Sequence, residues 1–406
     1  MSDELPPLAG ITVIDLTRVL SGPYCTMQLS DMGARVIKIE HPVRGDDTRA
    51  WGPPFLEGES SYFLSVNRNK ESVALDFKNP AGRDLLIRLI EKADVLVENF
   101  RPGALERLGL DYAAISARCP GLIYASISGF GHAGPRREEA GYDAMIQAES
   151  GLMSITGTAD GPAVRLGVAI ADISAGMFAF QGILLALIAR LRTGRGQHVD
   201  IGLLDSAMAL LTYQAGVAFA TGAAPSRLGN QHAAIAPYDT YDAADGVLIL
   251  AVRNDEQWQR FCGAAGLGAC ASDSRFLTNA SRVINYKDLR PLVAAAVASK
   301  TMAHWTTELR AAGVPCGAVR SVTEALRDPQ VLARQMIEVL PHPSIGAVEV
   351  LGIPVKLSDT PGAVRSAPPR LGEHTGRVLN ELLHLSRTEY RALVDAGVLR
   401  PLVPPT

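Results

Sequence analysis

Short apolar runs alternate with helical patterns over the first 130 residues. Four runs, at 11–15, 35–40, 94–97 and 122–126, are rich in the residue types that favour β-strands. Between them, residues 24–32 and a segment opening at Asn79 place apolar side chains on one face of a helix. Strands that alternate with helices predict a parallel sheet with helices packed on its faces. We therefore expect an α/β protein with a Rossmann-like sheet.

The pattern also divides the chain into domains. Residues 222–226 are rich in Gly, Ala, Pro and Ser and predict a linker, and residues 246–252 predict a buried strand followed by a helix near Trp258. We expect a large domain over 1–225, a smaller α+β domain over 226–325, and a segment over 326–406 that returns to the large domain. An amphipathic helix is predicted over 377–383. A length of 406 residues suits two domains.

A long uncharged stretch lies near the centre of the chain. Residues 173–189 contain no Lys, Arg, Asp or Glu, and Asp172 stands directly before them. The stretch is shorter than the ~20 residues that a membrane span needs, and it contains Gln181 and Gly182. We predict a buried core helix and no membrane association. A carboxylate at such a position needs compensation, so Asp172 is either the N-cap of the helix or a nucleophile in a mostly dry site.

Composition excludes several functions. The formal net charge of −3 and the scattered basic residues give no reason to expect a nucleic-acid partner. Five widely spaced cysteines and eight dispersed histidines lack the spacing of metal ligands, so we predict no metal site. The odd number of cysteines fits a reducing compartment, and the acidic start with two prolines is not a signal peptide. We predict a cytoplasmic protein.

A glycine motif raises the question of a dinucleotide. Residues 129–134 match G-x-G-x-x-G after a predicted strand, but the segment that follows lacks the apolar face of a receiving helix. Nicotinamide binding is therefore not predicted, and no G-x-S-x-G elbow indicates a serine hydrolase. The motif is interpreted either as a mobile loop over an active site or as a surface turn.

Two other polar segments suggest binding. Residues 99–103 follow a strand, at the sheet edge where open α/β folds bind ligands, although a plain turn would have the same sequence pattern. Arg68 lies in a run of hydrogen-bond donors suited to a carboxylate or phosphate. An exposed salt-bridge patch is the alternative for that run.

Five ordered motifs, at 15–23, 33–40, 75–78, 97–103 and 372–375, resemble the class III CoA-transferases, the family of formyl-CoA transferase and carnitine CoA-transferase. Residues 167–177 match the stretch that carries the catalytic aspartate of that family, and the resemblance covers essentially the whole chain. It implies that Asp172 attacks an acyl-CoA thioester and carries first the acyl group and then CoA. It also implies an interlocked homodimer, with CoA as a substrate and no permanently bound cofactor.

The resemblance assigns further residues. The CoA contacts it implies are Val19, Ser21, Leu75, Lys78, Asn99, Phe100, Arg101 and Arg107, with Tyr142 and Asp143 beside the thioester. One departure is His41, where formyl-CoA transferase has an arginine for the CoA end. Residues 45–55 and 62–70 look like the succinyl-CoA:glutarate branch of the family. We therefore expect Arg68 and Arg165 to hold the distal carboxylate of a dicarboxylic acid.

Two alternatives stay open at this point. The same superfamily contains α-methylacyl-CoA racemases, which use a histidine where this chain has Tyr142. A tyrosine, with a pKa of about 10 in model peptides, is a poor group for proton exchange near neutrality. The other alternative is a non-catalytic CoA-binding protein, which the presence of Asp172 disfavours.

Overall fold

The computed structural model describes residues 5–402. Residues 1–4, part of the acidic start for which we predict no signal peptide, and residues 403–406 lie outside the described part. The chain forms two compact units. One contains the residues up to Leu152, Arg165–Ala215 and those from Pro329 onward, and the other contains Met153–Val164 and Gly216–Asp328. The second unit thus includes a short segment from the middle of the chain in addition to a region close to the predicted 226–325.

The strands are β1 Thr12–Asp15, β2 Arg35–Glu40, β3 Phe55–Leu56, β4 Glu59–Ser60, β5 Lys70–Ala74, β6 Val95–Glu98, β7 Ile123–Ser128, β8 His198–Gly202, β9 Tyr238–Ala243, β10 Gly246–Ala251, β11 Cys316–Ala318, β12 Ile337–His342 and β13 Gly346–Leu351. The helices are α1 Ser21–Asp31, α2 Ser61–Ser65, α3 Pro80–Ile90, α4 Tyr112–Arg118, α5 Asp143–Glu149, α6 Leu152–Ile155, α7 Ile170–Thr193, α8 Leu203–Ala209, α9 Thr212–Thr221, α10 Asp255–Ala265, α11 Gly268–Ser272, α12 Asn279–Ile284, α13 Tyr286–Ala298, α14 Met302–Ala311, α15 Val322–Leu326, α16 Pro329–Ala333, α17 Thr375–Leu383 and α18 Arg387–Asp395. Short 3₁₀ turns occur at Asp47–Ala50 and Glu106–Leu108.

Six strands of the first unit form one parallel sheet in the order β5-β2-β1-β6-β7-β8. This is the strand order of a dinucleotide-type Rossmann sheet. Successive strands are added on one side of β1 up to β5 and on the other side from β6 onward, so the direction of winding reverses between β1 and β6. Ile14 of β1 is in register with Ile37 of β2 and with Leu96 of β6. The predicted fold class is confirmed, and so are the four strands expected from the apolar runs.

Side chains that alternate along the strands of the sheet pack in two separate hydrophobic cores, one on each face. Val13, Val95 and Val97 pack on one face with side chains from α1 and α7. Ile14 and Leu96 pack on the other face, against α3 and α17. The two faces are therefore both covered by helices, as a parallel sheet requires.

α7 contains the uncharged stretch 173–189. Its length and hydropathy would also allow it to cross a membrane. Several of its residues, from Ala171 and Ala175 to Ile183 and Leu187, are buried in the core beside α1 and the sheet. We therefore interpret α7 as the core helix of an α/β unit.

The second unit has its own sheet and core. β9, β10 and β11 form an antiparallel sheet in the order β11-β10-β9. Trp258 and Phe261 of α10 are fully buried in its core. The amphipathic helix predicted over 377–383 is α17, and it lies in the first unit.

Candidate active site

The candidate site begins at the reversal point of the large sheet. In an open α/β fold, ligands bind outside the carboxyl ends of the strands where the direction of winding reverses. Here that place is formed by the loop after β1, residues 16–20, and the loop after β6, residues 99–101. The Asn99 side chain joins the two loops, because its Oδ1 accepts the Arg18 N–H at 2.9 Å and its Nδ2 donates to the Arg18 carbonyl at 2.7 Å.

The backbone next to these Asn99–Arg18 hydrogen bonds is strained. Val19 has a φ of +70°, a region that a β-branched residue rarely enters. Its N–H is held by the Asp46 carboxylate at 3.3 Å. Such strain costs on the order of 1–3 kcal/mol and persists only where the surroundings enforce it, commonly at functional sites.

Two adjoining cavities open on these loops. The first, of about 400 Å³, is lined by cationic side chains that include Lys78, Arg107 and Arg44, and we call it the basic cavity. The second, of about 310 Å³, contains Asp172 in its lining, and we call it the Asp172 cavity. Arg18, Asp47 and Phe100 line both. A long ligand with an anionic end and a reactive end could therefore lie across the two.

Most of the residues implied as CoA contacts lie on these walls. Leu75, Lys78 and Arg107 line the basic cavity, and Phe100 lines both cavities. The Asp172 cavity is lined by the other five that reach a wall: Val19, Ser21, Asn99, Arg101 and Tyr142. The residues are distant in sequence, and the sheet brings them together.

Asp172 lies in the first turn of α7. The helix begins at Ile170 with Ala169 in the N-cap position, so the N-cap interpretation of Asp172 is wrong. A negative charge in this turn is still favoured by the helix dipole. One turn later, a Cβ on Gly176 would lie 2.5 Å from the Ser21 carbonyl oxygen, and the glycine therefore allows α7 to approach the start of α1. This approach places Ser21 and Asp172 in the lining of the same cavity.

The surroundings of Asp172 alter its acidity. Burial raises its pKa to about 7, and the negative charge of Asp143 adds to the rise. The hydrogen bond with Ser21 acts in the opposite direction. A carboxylate with a raised pKa is a better nucleophile once ionised than an ordinary aspartate, and at this pKa a large share is ionised near neutrality.

Asp143 acts on this site from outside the cavity wall. Its Oδ1 accepts the Ala171 N–H at 2.9 Å and its Oδ2 accepts from Gln147 Nε2 at 2.7 Å. Gln147 in turn accepts the Leu166 N–H through its Oε1 at 2.9 Å. Asp143 therefore caps α7 and fixes the segment that leads to Asp172, and its expected place beside the CoA thioester stays a prediction.

Arg68 is not at the site. Its side chain is 3% exposed and forms a two-point ion pair with Asp31, with Nε to Oδ1 at 3.0 Å and Nη2 to Oδ2 at 2.6 Å. Nη1 donates to the Leu351 carbonyl at 2.5 Å. A guanidinium that is buried and engaged in this way cannot receive a substrate carboxylate, so the expectation for Arg68 is corrected to a structural role.

Arg165 is exposed, and its Nη1 donates to the carbonyl of the next residue, Leu166, at 3.2 Å. It does not line the Asp172 cavity. The structure therefore gives no support for its contact with a substrate.

The glycine loop 129–134 does border the site. Gly129 lines the Asp172 cavity, and a Cβ there would lie 2.6 Å from the backbone of Gly141. The next helix, α5, begins only at Asp143. This spacing agrees with the rejection of a dinucleotide fingerprint, which requires a helix immediately after the glycines.

An aromatic wall was missed by the sequence analysis. Trp51 lines the Asp172 cavity, and its ring meets that of Tyr62 edge-on at 5.2 Å between centroids. Burial and the nearby Asp172 charge raise the pKa of Tyr62 to about 12, so it remains a neutral hydroxyl. Only the position of these residues in the three-dimensional structure reveals their proximity to Asp172.

His41 stands where formyl-CoA transferase has an arginine, and its position in the structure is also informative. Its Nδ1 accepts the N–H groups of Val43 and Arg44 at 3.1 and 3.2 Å, and both His41 and Arg44 line the basic cavity. The histidine therefore organises a turn that presents a different arginine, Arg44. Among residues 5–402, no group of three or more His, Cys, Asp or Glu residues is arranged to hold a metal ion.

Comparison with known proteins agrees with this geometry. Residues 8–375 match the family model for CoA-transferase family III. The chain is 41% identical to succinyl-CoA:glutarate CoA-transferase of Mus musculus, over 98% of this chain and 91% of that protein. It is 43% identical to succinate–glutarate CoA-transferase of Agrobacterium fabrum, over 96% of this chain and 98% of that protein. A crystal structure of a CAIB/BAIF family protein from Brucella suis superposes with a TM-score of 0.86 at 42% identity, covering 93% of this chain and 100% of that one.

The family match covers most of the chain, and the reversal point of the Rossmann sheet adjoins both the Asp172 cavity and the basic cavity. These findings together support one assignment. The chain belongs to CoA-transferase family III and is a CoA-transferase.

Proposed function

We propose that the protein moves CoA from succinyl-CoA to a dicarboxylic acid such as glutarate, with Asp172 as the group that carries each intermediate. The observation that carries this proposal is the position of Asp172, a carboxylate of raised pKa in the wall of a cavity that adjoins the basic cavity. The choice of acids rests on the names of the two relatives, which are both transferases for succinate and glutarate.

The reaction starts with the Asp172 carboxylate attacking the thioester carbonyl of the donor. The C–S bond breaks, CoA leaves as the thiolate, and succinate is held as a mixed anhydride with Asp172. The thiolate then attacks the aspartyl carbonyl, which forms an aspartyl-CoA thioester and releases succinate. The acceptor carboxylate attacks this thioester, the C–S bond breaks, and a second anhydride and the CoA thiolate are formed. The thiolate then attacks the acceptor carbonyl, and the anhydride C–O bond breaks. The new acyl-CoA leaves and Asp172 is regenerated.

Each part of the site has a task in this scheme. Lys78, Arg107 and Arg44 would meet the CoA phosphates, since lysine and arginine bind phosphate through charge-assisted hydrogen bonds. The positive end of the α7 dipole would favour the anionic form of Asp172 before attack. The partly closed cavity would protect the anhydride from water. CoA enters as a substrate, and we propose no permanently bound cofactor.

A second copy of the chain completes the proposal. Three apolar side chains of α7, Leu185, Ile188 and Leu191, are 53–85% exposed, and exposed apolar groups of this kind mark association surfaces. We propose that a homodimer covers them and that the enzyme works in the cytoplasm. Sedimentation velocity with the full chain tests the dimer, and a monomer at micromolar concentration would contradict it.

The central experiment replaces Asp172 by Asn and, separately, by Ala. Wild-type enzyme is incubated with succinyl-CoA and a panel of acids, and new thioesters are identified by mass. We expect glutaryl-CoA as a main product and loss of transfer by at least three orders of magnitude in both variants, because no other group in the scheme can carry the acyl group. Transfer at the normal rate in the Asn variant would remove the basis of the proposal.

Trapping gives a second test. Hydroxylamine added during turnover should convert an activated Asp172 into the hydroxamate, which peptide mass spectrometry would locate. A racemase would instead exchange the α-proton of its substrate for deuterium in the absence of any acceptor acid, and we expect no such exchange.

A further inference from the structure

A group of ionisable and polar side chains next to the Asp172 cavity takes no part in the proposed chemistry. It consists of Glu98 at the end of β6, Ser126 on β7, His132 in the glycine loop, and His198 and Asp200 on β8. Glu98, Ser126, His132 and His198 line a third cavity of about 270 Å³. This third cavity shares Arg101 and Pro102 with the Asp172 cavity.

Glu98 holds the start of the loop that carries the CoA contacts. Its side chain is 4% exposed, and its Oε2 accepts the Phe100 N–H at 2.8 Å. Phe100 lines both substrate cavities, meets Phe77 edge-on at 6.1 Å, and lies under the Arg18 guanidinium at 5.0 Å. The direction of the Phe100 ring thus depends on a hydrogen bond from its own backbone to Glu98.

The other oxygen of Glu98 faces the glycine loop. Oε1 lies 3.8 Å from His132 Nε2, an atom that is buried without a hydrogen-bond partner. The backbone N–H of His132 donates to both carboxylate oxygens of Asp200, at 3.0 and 3.2 Å. The loop that contributes Gly129 to the Asp172 cavity is therefore fixed on one side by Asp200 and faces Glu98 on the other.

We propose that Glu98 is a positioning residue that joins the 99–101 loop to the glycine loop, and that its ionised form tightens the binding of CoA. The inference rests on the proposed function, since it concerns the binding of the same substrate. An ionised carboxylate accepts a hydrogen bond from an N–H about twice as strongly as a neutral group does. The Phe100 loop is therefore held more firmly when Glu98 carries its charge.

The acidity of Glu98 makes this effect measurable near neutrality. Burial raises its pKa to about 7, and the Asp200 charge adds to the rise, while hydrogen bonds with Ser126 and the Phe100 N–H oppose it. The ionisable groups around it come from every packed element: His132 and Arg101 from the loops, Tyr124 from β7, His198 and Asp200 from β8, and Glu106, Asp111 and Tyr112 from the segment 106–112. Since Glu98 ionises as pH rises through about 7, affinity for CoA should rise over the same interval.

The test is calorimetric titration of the full-length enzyme with CoA between pH 6 and 8.5. Glu98→Gln keeps an acceptor for the Phe100 N–H but cannot ionise, and Glu98→Ala removes the acceptor. Glu91→Gln is the matched control, because Glu91 is an exposed glutamate at the end of α3 and lines none of the three cavities.

For each protein, the Kd for CoA at pH 6 is divided by the Kd at pH 8.5. We expect this ratio to be about five times larger in wild type and in Glu91→Gln than in Glu98→Gln. Titration of the CoA phosphates is common to all and cancels in this comparison. Glu98→Ala should bind about tenfold more weakly than wild type at pH 8, with a smaller change in kcat than in KM. If Glu98→Ala does not fold, the comparison with Glu98→Gln decides.

Parallel pH curves for wild type and Glu98→Gln would overturn the inference, and so would a pH dependence that disappears in His132→Gln but persists in Glu98→Gln. Failure of the wild-type enzyme to bind CoA at any pH would instead contradict the proposed function itself. The two failures are therefore distinguishable.

Discussion

The Asp143 carboxylate accepts the Ala171 N–H at 2.9 Å, so the residue that caps α7, the helix of Asp172, belongs to another helix, α5. The same carboxylate raises the pKa of Asp172 through like-charge repulsion, in addition to the larger effect of burial. One side chain therefore fixes the start of the helix that carries Asp172 and raises the pKa of Asp172.

Asp143→Asn separates these two effects. The amide oxygen can still accept the Ala171 N–H, while the negative charge is lost. The pKa of Asp172 should fall, and because the anion is the attacking form, the acid limb of the kcat/KM profile should move to lower pH. At pH 6 we expect roughly two- to threefold more activity relative to the plateau than in wild type.

The measurement is the midpoint of that limb, which does not depend on the height of the plateau. The new amide group would face the Gln147 donor, so some loss of plateau activity is expected at every pH. Asp84→Asn, an exposed aspartate on α3, is the control. An unchanged midpoint in Asp143→Asn would show that the charge of Asp143 does not act on Asp172.

Gly176→Ala tests the close approach of α7 to α1. The added Cβ would lie 2.5 Å from the Ser21 carbonyl oxygen, a backbone atom that cannot rotate away. We expect the helices to separate at a cost of about 1–3 kcal/mol in the free energy of unfolding. Activity should fall further than stability alone explains, because Ser21 and Asp172 line the same cavity and their relative position depends on this approach.

Gly263→Ala is the matched control for this change. Gly263 lies within α10, and a Cβ there meets no atom within 4 Å. It should be neutral or stabilise by up to about 1 kcal/mol through helix propensity. Chemical denaturation and steady-state kinetics of both variants supply the comparison, and equal behaviour of the two would contradict the steric argument.

The sequence predicted the fold where local pattern determines structure. β1, β2, β6 and β7 are short runs of apolar and β-branched residues, and such runs form strands when both faces of the sheet are covered. β5 was missed, because it begins with Lys70 and Glu71. Lys70 is fully buried there, and its ammonium is satisfied by Asp15 at 3.2 Å and by the Pro23 carbonyl at 2.9 Å, groups that are close only in the folded chain.

The site was predictable to a similar extent. Asp172 stood out because it directly precedes the uncharged stretch 173–189 and lies in the segment 167–177 that resembles the family, and the loops after β1 and β6 follow from the sheet topology. Arg68 was misinterpreted because its partner Asp31 lies 37 residues earlier on another element. Trp51 was missed for the same reason, since nothing in its neighbourhood along the chain indicates Asp172.

Arg68→Ala should act on stability and leave the acceptor site intact. Removing one partner of a buried ion pair costs about 3–5 kcal/mol, because the other charge is left uncompensated. We expect a loss of this order in urea unfolding, with the KM for glutarate within twofold of wild type in the protein that remains folded. Arg165→Ala, at an exposed position, should change stability by less than about 0.5 kcal/mol. A large rise in the glutarate KM for Arg68→Ala with unchanged stability would restore the substrate role that the structure argues against.

Lys78→Ala and Arg107→Ala test the basic cavity. Both side chains line the cavity that we assign to the CoA phosphates. A charge-assisted hydrogen bond contributes about 1.5–3 kcal/mol, so each variant should raise the KM for succinyl-CoA by about tenfold or more. The bond is the same in ground state and transition state, and kcat should therefore change little. Lys92→Ala, just after α3 and exposed, is the control.

A succinyl thioester of N-acetylcysteamine, which lacks the nucleotide, should show equal KM values in wild type and in the three variants. A difference there would mean that Lys78 and Arg107 act on the reacting end of the substrate.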